Sequence, residues 1–97
     1  MSPREAGPTL ADRVAASVST VPGVARLGGS AFTEVATYLP GRQVAGVSDR
    51  GDHVTVSVTA VPAGSLVELA ERVRAAVLLV DARPVDVLIA DLDSSVT

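Results

Sequence analysis

The stretch His53-Val54-Thr55-Val56-Ser57-Val58-Thr59-Ala60-Val61 decides the fold. Val54, Val56 and Val58 fall on one side of an extended chain, with Thr55, Ser57 and Thr59 on the other. That period of two is the signature of a β-strand. The valine side is expected to be buried and the hydroxyl side wet or lightly covered. Just upstream, Asp49-Arg50-Gly51-Asp52 is a tight polar turn containing glycine. With Val44–Ser48 before it, the whole segment reads as a β-hairpin.

Downstream, Pro62-Ala63-Gly64 breaks the strand, and Ser65 followed three residues on by Glu68 reads as a helix-opening capping box. Leu66, Leu69, Ala70, Val73, Ala76, Val77 and Val80 then form one apolar stripe, opposite Glu68, Glu71, Arg72 and Arg74. Glu68 and Arg72 are spaced for an i,i+4 pair in the favourable order. After the loop Asp81-Ala82-Arg83-Pro84, Val85, Val87 and Ile89 alternate with Asp86, Leu88 and Ala90 as a closing strand.

Upstream, Thr9 with Asp12 resembles another capping box, and Leu10, Val14, Ala15, Val18 and Val21 recur at helical spacing until Pro22-Gly23. The spacing predicts a helix over 9–20. Val24–Leu27, bounded by glycines, reads as a short strand. Residues 30–43 suit a strand or a helical turn, closed by a turn at Pro40-Gly41. Together these elements predict an α+β domain over residues 9–92, in the order α-β-(β)-β-β-α-β. Two amphipathic helices pack on one face of a small, mainly antiparallel sheet of three to four strands. Residues 1–8 are expected to be a disordered tail and 93–97 a frayed end.

Composition bounds the function. The chain has 97 residues and is 47% hydrophobic, so folding buries roughly 64% of its surface in one core. Phe32 and Tyr38 are its two aromatics, which leaves valine, alanine and leucine to fill that core. A core this small is marginal alone, and oligomerisation would help it. The net charge of −3 argues against a protein held on nucleic acid by electrostatics. Without cysteine there are no disulfides and no thiolate metal sites. No apolar run is long enough to span a bilayer, and the start lacks a signal-peptide core, so a cytoplasmic location is expected.

Chemistry-bearing residues are sparse. His53 is the lone histidine, and no G-x-S-x-G elbow accompanies it, so a solvated or lightly packed strand-end histidine is the expectation. Asp81, Asp86, Asp91 and Asp93 lack the spacing and central glycine of a calcium loop. Gly28-Gly29 has no lysine or helix start with which to cradle phosphate, and reads as a bend. Neither a cofactor nor a metal is expected.

A wider pattern does stand out. Val21-Pro22-Gly23-Val24-Ala25-Arg26-Leu27 after a helix, followed by Glu34-Val35-Ala36-Thr37-Tyr38-Leu39-Pro40-Gly41-Arg42, resembles the alkaline-shock-protein family of envelope stress response proteins, in its short actinobacterial form. The strand Val54–Val58, the helix through Leu69–Val77 and the strand Pro84–Val87 fit the same pattern, over about residues 9–92. The resemblance implies a non-enzymatic cytoplasmic scaffold or adaptor that self-associates. It also implies a peripheral place at the inner membrane face, through a small membrane anchor protein or a paralogue. The lysine-rich surfaces of longer members are absent here.

Arg26, Phe32, Tyr38 and Arg42 are the candidate partner-binding residues, of types enriched where partners dock. If Val24–Leu27 or Val85–Ile89 is a sheet edge, strand addition is the expected binding mode. The alternative function is a small-molecule sensing domain with a metabolite at the sheet–helix seam.

Overall fold

The computed structural model describes residues 9–29 and 35–93. Phe32, the tail 1–8 and residues 94–97 lie outside them. Helix α1 spans Leu10–Ser19 and opens on the expected box. The Asp12 amide donates to Thr9 Oγ1 at 3.2 Å, and the Asp12 carboxylate accepts from the Thr9 amide at 2.8 Å. Two donors left over at the helix start are thereby met. Ala11, Val14 and Val18 carry its buried face. Helix α2 spans Leu66–Leu78 behind the Ser65 cap and buries Leu69, Val73, Ala76 and Val77. Leu66, placed in the apolar stripe by periodicity, stays exposed in the first turn. Arg72 does not turn to Glu68 but donates to the Pro22 carbonyl at 3.3 Å, because it faces the turn after α1.

The strands are β1 (Val24–Leu27), β2 (Ala36–Leu39), β3 (Arg42–Ala45), β4 (Val47–Asp49), β5 (Val54–Ala60) and β6 (Val85–Leu92). β5 is central. β6 runs parallel along one side of it, with Val54 opposite Val85 and Val58 opposite Ile89. The other side is shared end to end: β4 takes the first half of β5 and β1 the second, both antiparallel. A separate antiparallel hairpin, β2–β3, turns at Pro40-Gly41. The α+β class therefore agrees with the sequence reading, and the element order roughly so, with six strands in two sheets where one sheet of three to four was expected.

Two details differ from it. The expected hairpin arm Val44–Ser48 is cut at Gly46, so Val44 belongs to β3 and pairs with β2, while Val47 belongs to β4 and pairs with β5. Gly46 has φ +82, and a Cβ there would sit 2.5 Å from the Gly28 amide nitrogen and 2.6 Å from the Ser57 carbonyl oxygen. Only glycine fits such a crossing. At that point the Ser57 amide donates to the Gly46 carbonyl (2.8 Å), and the Ser57 carbonyl accepts from the Gly28 amide (2.7 Å). One residue of β5 thus joins the two segments that share its flank.

The second difference concerns the hydroxyl face of β5, which is buried rather than wet. Ser57 is 1% exposed and Thr59 fully buried. β5 has neighbours on both sides, and Thr59 Oγ1 donates to the Gly28 carbonyl at 3.0 Å. Gly29 packs so tightly on Ala90 of β6 that no Cβ fits between them. The opposite face holds the expected valine core: Val14, Val18, Val47, Val54, Val56, Val58, Val73 and Val77 are all inaccessible or nearly so.

Arg83 locks one end of the domain. It reaches Asp81 at 2.7 Å, Asp49 at 2.9 Å and the Gly51 carbonyl at 2.8 Å, tying the β4–β5 turn to the α2–β6 loop. Its guanidinium lowers the Asp81 carboxyl to about 2.

Candidate partner-binding surface

The residues expected to bind a partner are not gathered into one patch. Arg26 lies exposed on β1, in register with Thr59. Tyr38 stands on β2 opposite Gln43, 68% exposed, and so does not cap the core. Arg42 on β3 is engaged: its two terminal nitrogens each sit 2.8 Å from an oxygen of Asp12. That charge-assisted fork holds the Asp12 carboxyl far below the usual carboxylate range, with the Thr9 donors adding to it. Arg42 therefore fastens the hairpin to α1.

His53 lies between two carboxylates, with Nδ1 2.6 Å from Asp52 Oδ1 and Nε2 3.3 Å from Asp86 Oδ2. The histidine lowers the Asp52 carboxyl through this hydrogen bond. With both ring nitrogens turned to acids, the imidazole pins the start of β5 to β6. No hydroxyl side chain among the described residues is bonded to either nitrogen. Among the described residues, no group of three His, Asp or Glu side chains is placed to hold a metal ion.

The feature that sequence reasoning left unresolved is which edge is open. In a parallel ladder, alternate residues of a strand direct their amide and carbonyl to opposite sides. The Val54 amide donates to the Pro84 carbonyl, so Pro84, Asp86 and Leu88 turn their main chain toward β5. Val85, Val87 and Ile89 turn theirs outward. The Val85 carbonyl is met there by Arg74 Nε of α2 at 3.3 Å. Among the described residues, no hydrogen bond reaches the outward amides and carbonyls of Val87 and Ile89.

Arg74 also fixes which side of α2 borders this edge. Positions three, four and seven residues away share its flank, so Val67, Ala70, Glu71 and Leu78 line it. Val67 is 73% exposed and Leu78 is exposed too. Val87 and Ile89 pack on the core yet stay only partly buried, since no strand among the described residues pairs on their outer side. On the other sheet face the same strand presents Asp86, Leu88 and Asp91, all exposed. At the far end of β6, Pro62, Ala63, Gly64, Leu66 and Leu92 line an open notch of about 290 Å³.

The described residues form a small α+β domain whose outer strand β6 is paired on one side only. No protein-family model, curated protein or solved structure matches the chain. No helix among the described residues is long and apolar enough to cross a membrane.

Proposed function

We propose that this chain is a non-catalytic scaffold or adaptor of the envelope-stress type that its sequence resembles. It works by self-association and by contacts with other proteins, and it reaches the inner face of the cell membrane through one of them. The observation that carries this reading is the outer edge of β6, unpaired among the described residues, since a row of unmet main-chain donors and acceptors is a template for another chain. The exposed Tyr38 and Leu88 support it as contact residues. Self-association has the opposite side of the sheet available, where β1 carries Arg26 and, among the described residues, pairs with β5 alone.

Light scattering at micromolar concentration, joined to capture of a small membrane anchor protein, tests the reading. It expects particles larger than one chain and retention of the anchor. A strict monomer that retains no protein contradicts it.

The notch at the sheet–helix seam favours a second reading, a metabolite-sensing domain. Its lining residues carry no polar side chain, whereas ligand sites add a few converging polar groups. A saturable rise in melting temperature with one metabolite, absent for the rest of a panel, would promote it.

A further inference from the structure

We infer that the groove between the outer edge of β6 and the neighbouring flank of α2 takes an extended segment of a partner protein, in which basic and apolar side chains alternate. The segment adds to the sheet as a strand beside β6. This deepens the protein-contact reading above and rests on it.

Three observations converge on this one groove. The outward amides and carbonyls of Val87 and Ile89 offer the main-chain bonds that strand addition needs. Arg74 closes the groove at one end by taking the Val85 carbonyl, and the bulge between Val58 and Thr59 in the β5–β6 ladder closes the other. The open run therefore accepts a strand of about five residues, an ordinary length for one. On the helix side, Val67, Ala70 and Leu78 share the flank of α2 that Arg74 turns to β6, where Val87 and Ile89 are half-buried. Apolar side chains from an incoming strand would complete the burial of both.

The other face sets the charge of the occupant. Every second residue of an added strand meets Asp86 and Leu88, and Asp91 stands on the same face just past the bulge that ends the run. Asp86 is 69% exposed, with His53 Nε2 at 3.3 Å, and the Asp91 carboxylate bonds only the adjacent Leu92 amide among the described residues. Opposite charges across neighbouring strands stabilise a sheet and like charges destabilise it. Arginine or lysine at alternate positions therefore fits.

The same charges exclude a second copy of β6. A two-fold β6–β6 pairing lays the Asp86–Asp91 face of one chain against that of the other. Edge carboxylates often serve to prevent any strand addition. Here they lie on one face only, so they reject an acidic strand and leave the main-chain edge accessible to a basic one.

The test uses the full chain with a nine-residue peptide of alternating arginine and valine, and with its glutamate–valine counterpart. Binding is read by fluorescence anisotropy, and hydrogen exchange reports the Val87 and Ile89 amides. The arginine peptide is expected to bind and protect both amides, and the glutamate peptide to do neither. Asp86→Lys combined with Asp91→Lys, checked for an unchanged far-ultraviolet spectrum, should weaken binding about tenfold or more. Methylating the peptide nitrogens of all valines, or of all arginines, separates strand addition from simple charge attraction. Only one of the two sets faces β6, so one series should lose binding and the other keep it.

Equal binding by both methylated series overturns the proposal, as does equal binding of the glutamate peptide. So does a dimer with Val87 and Ile89 protected before any peptide is added. Should the peptides fail while the chain self-associates and retains its anchor, the groove proposal falls and the scaffold reading stands. Should the arginine peptide bind as described to a chain that is strictly monomeric and retains no anchor, the groove stands and the scaffold reading falls.

Discussion

Arg42 grips Asp12 across 30 residues of sequence, with both contacts at 2.8 Å, and the same carboxylate closes the capping box on Thr9. One acid thus orders the start of α1 and fastens the β2–β3 hairpin to it. Thr9→Ala should lower stability by about 1 kcal/mol, as loss of an N-cap generally does. Arg42→Met should lower the melting temperature as well. Because both side chains act on Asp12, the double variant should lose less than the sum. Thermal or urea unfolding of the three variants measures that coupling.

Ser57 Oγ has no hydrogen-bond partner among the described residues and is buried at the centre of β5. A hydroxyl taken from water without a partner costs free energy that its removal recovers. Ser57→Ala should therefore stabilise the chain by about 1 kcal/mol. Thr59→Val should destabilise it by a similar amount, since it deletes the bond to the Gly28 carbonyl and leaves that carbonyl buried. Paired chemical denaturation curves test the opposite signs.

Gly46 stands where three chain segments meet. Gly46→Ala forces a side chain into positive φ and onto backbone atoms of Gly28 and Ser57. Strain of this kind costs about 1–3 kcal/mol before any overlap is counted. The variant should lose more than Thr9→Ala, and loss of the folded spectrum at room temperature would agree. Wild-type stability would show that the crossing is looser than described.

Acid should unfold the domain through its paired carboxylates, Asp12, Asp49 and Asp81 held by arginines and Asp52 by His53. Asp12, Asp49, Asp52 and Asp81 are all lowered, Asp81 to about 2. A group whose folded pKa is depressed stabilises the fold above its unfolded value and loses that contribution as pH falls toward the folded one. Melting temperature should therefore be level near neutrality and drop between about pH 4 and pH 2. Asp81→Asn should flatten that drop, and high salt should weaken chiefly the contributions of the exposed Asp49 and Asp52.

Periodicity made the helices and β5 legible: valines two apart and apolar residues three and four apart are local signals. Capping at Thr9 and Ser65 was equally local. The cut at Gly46 was not, because a hydrophobic run through Val44 and Val47 looks continuous until Gly28 arrives from another part of the chain. The buried hydroxyl face has the same origin, since alternation shows polarity but not what covers it. Tyr38 and Arg42 drew attention by residue type, and type could not show that Arg42 is engaged by Asp12. Val85–Ile89 was legible as a strand, but its place at the edge depends on the parallel pairing with β5.

The open edge is tested most directly by amide hydrogen exchange in the unliganded chain. The Val87 and Ile89 amides should exchange nearly as fast as in an unfolded peptide, at every protein concentration, while those of Val56 and Val58 are protected. Slow exchange at Val87 and Ile89 would mean that the edge is already covered and would contradict the account.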